Sequence, residues 1–402
     1  MKIALGKIAD ITMGQSPKSD YYNNHGEGLP FLQGNRTFGD LYPSFDTYTT
    51  APIKIAEVGD VIMSVRAPVG DLNITPVKMC LGRGVCSIRS KNGNQPYLFY
   101  LMKHSVKDLI SRESGTVFGS VNSKDISSLE VEYIESEDKQ RTIASFLGSI
   151  DARIEINKQI NHNLQQQAKA IFDEWFIKIP QSTQDTLKIT PLGYFPDSFS
   201  VVKTGELPIV VADYVANGSF ASLKENVKLY QSKNYAYFIR NTDLKSGSFE
   251  VFVDKHSYDF LSKSRLFGGE IIISNVGDVG SVFLCPTLDA PMTLGNNIIM
   301  IKSDIPELRL FLYIWFKWSL GQGLIQGIKS GSAQPKFNKT DFKNLPIILP
   351  PSELLQKFNS TVSPIFEMIE RNDNENRKLS SLRDSILPKL MSGEIDVSEV
   401  EV

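Results

Sequence analysis

Two stretches of this chain, 215 residues apart, carry the same heptad seam. Leu147, Ile150, Ile154, Asn157, Asn161, Leu164, Ala168 and Ile171 step alternately by three and four residues. Val362, Ile365, Ile369, Asn372, Asn376, Leu379, Arg383 and Ile386 do the same. A stripe that advances 3.5 residues per turn keeps one helix face against a partner, which is the coiled-coil pattern. Both seams are apolar at their ends and carry two asparagines at the centre. Recurrence at this spacing implies two similar units, each closed by a long helix.

The duplication extends upstream of the helices. "GDVIMSVRAPVG" (Gly59 to Gly70) is answered by "GEIIISNVGDVG" (Gly269 to Gly280) at an offset of 210, and "SGTVFGSVNSKDI" (Ser114 to Ile126) by "SGSAQPKFNKTDF" (Ser330 to Phe342) at an offset of 216. Order and spacing carry this signal, while the loops between the segments do not match. Each unit reads as mixed β with short helices. Val58 to Val65, Val85 to Arg89 and Leu129 to Ile134 are β-branched or alternating runs, and glycine and proline punctuate them densely. Tyr97 to Arg112 and Leu308 to Leu320 have helical apolar periodicity. The first long helix is expected over about Asp138 to Ile177, and the second from Ser352, a plausible N-cap with Glu353 in its first turn.

A length of 402 residues suits two or more domains, and 41% hydrophobic with 22% charged residues suits a globular class. No run of 18 apolar residues exists, and Met1 to Asp10 lacks the apolar core of a signal peptide. Cys80, Cys86 and Cys285 are odd in number and form no C-x-x-C, which suits reduced thiols in a cytoplasm. The net charge of −2 excludes a general polycation. Residues 1–130 hold 14 Lys and Arg against 12 Asp and Glu, and residues 185–350 hold 17 against 15, so each globular part is slightly basic. Any nucleic-acid contact must come from local patches.

No catalytic or metal constellation emerges. There is no phosphate loop, no Gly-rich dinucleotide fingerprint, and no Asn-Pro-Pro-aromatic or Asp-Pro-Pro-aromatic motif of amino-methyltransferases. His25, His104, His162 and His256 are scattered, and none has a second ligand at metal spacing. The polar loops fit contact surfaces instead. In the first unit they supply Gln33, Asn35, Arg36, Arg66, Arg83, Thr116 and Ser120; in the second, Arg240, Asn241, Asn275, Lys329, Ser332, Gln334 and Lys336. Arg, Asn and Gln match guanine and adenine edges in the major groove, and Gly and Ser permit close approach to phosphates. Solvated turns share this composition.

The two helices could pair in parallel or antiparallel. Laid antiparallel with seam centres aligned, Asn157 lies level with Asn376 and Asn161 with Asn372. Buried asparagine at a seam costs stability and sets register. The seam from Leu147 to Ile171 would span ~36 Å at 1.5 Å per residue, about one turn of B-DNA.

"SGSAQPKFNKTDFKNLPIILPP" (Ser330 to Pro351) and "LRDSILPKLMSGEIDV" (Leu382 to Val397), with the weaker copies "SGTVFGSVNSKDI" and "QRTIASFLGSIDARI" (Gln140 to Ile154), resemble the DNA-specificity subunit of type I restriction–modification systems over nearly the whole chain. The resemblance implies an α+β fold, in which two mixed α/β target-recognition domains are each followed by a long α-helix and the two helices pair as an antiparallel coiled coil. The expected segments are a first recognition domain at 1–137, a central helix at 138–180, a linker at 181–199, a second recognition domain at 200–350, and a C-terminal helix and tail at 351–402. It implies that each domain reads one half of a bipartite site in double-stranded DNA. It also implies that the helices set the gap and dock two methylation (M) subunits, and that motor–nuclease (R) subunits join them. The chain itself would be a non-catalytic cytoplasmic subunit without cofactor or metal, inside an adenine-N6 methyltransferase and ATP-dependent endonuclease. Two departures from the family stand out. "VEYIESEDKQR" replaces a Pro-rich turn, and the first domain lacks the lead-in present at Pro191 to Ser198. The C-terminal tail is therefore a candidate to complete that domain's edge. The competing readings are a bivalent protein-binding scaffold and a stand-alone DNA-modifying enzyme.

Overall fold

The computed structural model describes residues 1–110, 119–178, 187–318, 320–331 and 333–396. The chain forms two compact units, Met1–Ile156 with Lys378–Val402, and Asn157–Arg377.

In the first unit, Lys2–Ala4 pairs antiparallel with Glu130–Glu132. A four-stranded antiparallel sheet has the order Ala9–Met13, Val85–Ser90, Val61–Ser64, Leu72–Ile74. The run Val61–Ser64 is buried throughout, as a β-branched central strand should be, and the positive-φ glycines Gly59 and Gly70 bracket it. A five-stranded sheet follows the order Tyr22–Asn23, Tyr48–Thr49, Leu29–Leu32, Met79–Leu81, Ile55–Ala56, and Leu29–Leu32 runs parallel to Met79–Leu81. Helix Gln95–Ile110 buries Tyr97, Leu98, Leu101, Met102 and Leu109 against the same core.

The second unit repeats this plan strand for strand. Ser200–Lys203 pairs with Pro346–Leu349. The four-stranded order is Ile209–Asp213, Ile298–Ser303, Ile271–Ser274, Val282–Leu284. The five-stranded order is Leu229–Tyr230, Phe252–Val253, Ala236–Ile239, Met292–Leu294, Arg265–Leu266, again with one parallel pair, Ala236–Ile239 beside Met292–Leu294. Helix Pro306–Lys317 starts on a proline and ends at Trp318, short of the expected Leu320; a separate helix, Leu320–Gly327, follows. The Gln322 side chain donates to the Phe316 carbonyl at 2.6 Å, which takes an acceptor the continuing helix would have used. Within the stretch read as linker, Leu187–Thr190 and Gly193–Pro196 form an antiparallel hairpin that buries Phe195 against Phe199.

The central helix is Glu137–Phe172, extended by a π-helical turn, Asp173–Ile177; the C-terminal helix is Ser352–Ser392. In the second unit, Asn157 bonds Asn376, Asn372 bonds Asn161, and the Phe172 and Phe358 rings lie 5.7 Å apart. Numbers rise along one helix as they fall along the other, so the pair is antiparallel. The π turn aims Phe176 at Phe358, Phe172 and Phe311, with ring centroids 4.9, 5.0 and 5.1 Å away. In the first unit, Leu147 shares a core with Leu387, Leu390 and Met391. The C-terminal residues therefore fill the first unit's core. At the first domain's edge, Lys2–Ala4 is paired by the domain's own strand, Glu130–Glu132. Among the described residues, no helix is long and apolar enough to cross a membrane, and no group of His, Cys, Asp or Glu could hold a metal ion.

Candidate nucleic-acid interface

At one end of each four-stranded sheet, four polar loops are drawn together by backbone hydrogen bonds. In the first unit, Gly82 N–H donates to Leu32 O at 2.8 Å, Gly84 N–H to Gln33 O at 3.0 Å, Val65 N–H to Gly84 O at 2.9 Å, and Val121 N–H to Val65 O at 3.1 Å. The glycines are required by close approach. A Cβ on Gly84 would lie 2.3 Å from Gln33 O, and one on Gly82 would lie 2.7 Å from Gln33 Cα. Arg83, held between them, has its side chain exposed to solvent.

The second unit repeats three of these bonds at equivalent positions. Gly295 N–H donates to Ile239 O at 2.7 Å, Asn275 N–H to Asn297 O at 3.1 Å, and Phe337 N–H to Asn275 O at 3.0 Å. The flanking turns match as well. Asn122 caps helix Ser123–Ser127 and Asn338 caps Lys339–Lys343, each accepting a bond from the backbone of the aspartate three residues on. Isolated bridges join Arg66 to Ser120 in one unit and Val276 to Lys336 in the other.

Within this shared frame the side chains differ. Gln33, Arg66, Arg83 and Ser120 are exposed. Asn35 donates to Asp71 at 2.6 Å. Arg36 is held in a two-pronged pair with Asp46 at 2.9 and 2.7 Å, which holds the Asp46 carboxyl below its usual range. In the second unit Arg240 is tied to the buried Asp243, with Nε 2.9 Å and Nη2 2.6 Å from its oxygens. Lys329, Gln334 and Lys336 are exposed. The side-chain oxygens of Asn241 and Asn275 are buried with no hydrogen-bond partner among the described residues. Asp278 beside Asn241 is held below its usual range, first by the Lys245 ammonium and then by Ser281. Thr116 and Ser332 lie outside the described residues. Of the cations read from the sequence, Arg66, Arg83, Lys329 and Lys336 make no ion pair among the described residues, whereas Arg36 and Arg240 are engaged.

Sequence reasoning missed one loop in each unit. Gly14–Ser16 joins the first cluster: Gln15 N–H donates to Leu81 O at 2.9 Å, and Ser16 Oγ accepts from Arg83 N–H at 3.1 Å. Its counterpart, following Ile209–Asp213, is the short 3-10 turn Tyr214–Asn217. The two loops share no motif, so their equivalence is visible only in the strand order.

The asparagines of the helical seam form a bonded layer. Asn157 Nδ2 lies 2.9 Å from Asn376 Oδ1 and 3.0 Å from Glu375. Asn372 Nδ2 lies 2.8 Å from Asn161 Oδ1, and Asn161 Nδ2 lies 2.7 Å from Asp373. In the first unit Arg383, at a seam position, forms a buried ion pair with Asp151, and Tyr100 donates to the same carboxylate at 2.7 Å. The sequence showed Arg383 as a seam residue and gave no sign of these partners.

The family model for the type I restriction modification DNA specificity domain matches residues 1–166 and 211–381. The chain belongs to this family. A Methanocaldococcus jannaschii protein described as the MjaX type I restriction enzyme specificity subunit is 38% identical over 169 residues, which cover 42% of this chain and only 40% of that protein. The MjaIX specificity subunit of the same organism is 27% identical over 362 residues, 87% of this chain and 80% of that one. The crystal structure of a type I restriction–modification S subunit from M. genitalium has the same fold, with a TM-score of 0.55, 16% identity, and coverage of 97% of this chain and 95% of that one. The α+β architecture with two long helices is thus that of a type I specificity subunit.

Proposed function

We propose that this specificity subunit reads a bipartite site in double-stranded DNA. The recognition domains at 1–137 and 200–350 would each take one half, through the loop clusters around Arg66 and Arg83 and around Lys329 and Lys336. The observation that carries the proposal is the repetition of one backbone frame under two unrelated sets of loop side chains. Such a frame presents different contacts in the same geometry, as two half-sites of different sequence demand. The free cations suit phosphates, and Gln33, Asn241, Asn275 and Gln334 suit base edges. The unsatisfied oxygens of Asn241 and Asn275 are buried and would accept bonds from bound water.

In the proposed complex the paired helices set the gap between half-sites and dock two methylation subunits, and motor–nuclease subunits join that core. The chain contributes recognition without catalysis, in the cytoplasm. Replacing residues 200–349 with another second recognition domain tests this. Methylation-site sequencing of host DNA should then show one half-site changed, with the other and the gap retained. A change in both halves, or none, would reject it. A protein-binding scaffold would instead show no steep salt dependence in DNA filter binding with the methylation subunit present.

A further inference from the structure

Each heptad seam reads the same in both directions. If the central helices of two chains lay antiparallel about Asn157 and Asn161, Leu147 would meet Ile171, Ile150 would meet Ala168, and Asn157 would meet Asn161. Two C-terminal helices would likewise set Asn372 level with Asn376. The asparagine layer would find amide partners in either arrangement. It therefore selects a register but does not select the partner.

The buried ion pair does discriminate. In the chain's own pairing, Arg383 meets Asp151, with side chains 14% and 8% exposed, and Tyr100 closes the group at 2.7 Å. Between two C-terminal helices Arg383 would lie level with Ile365, and between two central helices Asp151 would lie level with Gln167. Asp151 would then be buried without its counter-charge, and Arg383 would keep only the exposed Asp384 beside it on its own helix, 2.8 Å away. The second unit has no such key. At offsets of 213, 215 and 215 from Tyr100, Asp151 and Ala168 stand Tyr313, Phe366 and Arg383. Tyr313 packs edge-on to Phe366 at 5.4 Å, and Ala168 is fully buried in the same core.

We propose that Tyr100, Asp151 and Arg383 form a partner-selecting contact. It reserves the central helix for the C-terminal helix and excludes like-with-like pairing with a second copy of this chain. The test is an apolar variant, Asp151→Leu with Arg383→Leu, which removes both charges together and keeps the site filled. Ile154→Cys and Leu164→Cys are added as reporters. They would lie level only between two central helices, and on one helix they are too far apart to bridge. After refolding over a range of concentrations, the parent with reporters should run as a monomer without inter-chain disulfide. The apolar variant should show at least tenfold more disulfide-linked dimer. The exchanged pair, Asp151→Arg with Arg383→Asp, should return to the parent's level. Equal dimer in the apolar variant and the parent, or as much dimer in the exchanged pair as in the apolar variant, overturns the proposal. If the apolar variant does not refold, the exchanged pair decides alone against Asp151→Arg by itself: equal dimer in the two overturns the proposal, and less in the exchanged pair upholds it. DNA takes no part in the readout, so failure here leaves the DNA-reading role untouched.

Discussion

The two units share every strand order and most of the backbone bonds around their loops, yet differ in chemistry at equivalent points. Where the first unit places Asp151 and Arg383 beside a tyrosine, the second places Phe366 and Ala168. Where the first unit has His104, the second has Lys317, half-buried beside Tyr313. Duplication constrains the backbone, because hydrogen-bond frames and close glycine contacts tolerate little change. Side chains can diverge wherever volume and charge are balanced locally.

The largest expected effect comes from breaking the first unit's polar group on one side only. Arg383→Met leaves Asp151 buried and unpaired and should cost about 3–5 kcal/mol in denaturant unfolding. Installing the second unit's residues, Asp151→Phe with Arg383→Ala, should recover most of this. A cost under about 1 kcal/mol for the single change would show the pair to be solvent-screened.

Lys317 offers the converse test in the second unit. Burial pulls its ammonium down to about 8, against a partial upward pull from Asp373. The folded pKa lies below the unfolded one, so the charged form is penalised. That penalty is fully present below pH 8 and is relieved as pH rises from about 8 towards the ordinary lysine value. Lys317→Met should therefore flatten that rise, with its largest stabilising contribution below pH 8, offset by loss of the ammonium's hydrogen bond to Tyr313. An ordinary lysine titration of Lys317 by NMR would rule the idea out.

The loop frames give a smaller, matched pair. Gly84→Ala sets a Cβ 2.3 Å from Gln33 O, and Gly295→Ala sets one 2.6 Å from Ile239 O. Each should cost about 1–3 kcal/mol and weaken recognition of its own half-site alone; loss at both half-sites from either variant would contradict independent recognition. Smallest is Arg66→Ala, which should leave the unfolding midpoint unchanged and lower the salt slope of DNA binding by about one. An unchanged slope would remove Arg66 from the phosphate contacts.

The duplication, the two long helices and the polar loops were legible because periodicity and spacing are local properties. The level pairs Asn157–Asn376 and Asn161–Asn372 followed from the seam once an antiparallel direction was assumed. The break at Trp318 was not legible, because it depends on a side chain reaching back to Phe316 O. Nor was the hairpin at 187–196, whose Thr and Pro residues resemble a linker.

Sequence alone determined that this chain has two similar units, each with a heptad helix, since a repeat needs no tertiary contact to be seen. Tertiary structure decided which charges are free and which are engaged. Arg36 and Arg66 look alike as letters, but one folds against Asp46 and the other makes no ion pair among the described residues. Asp151 and Arg383 are separated by 232 residues, and only antiparallel helices make them neighbours. Electrostatic partners are set by distance in space, and for residues so far apart in the chain that distance exists only once the chain has folded.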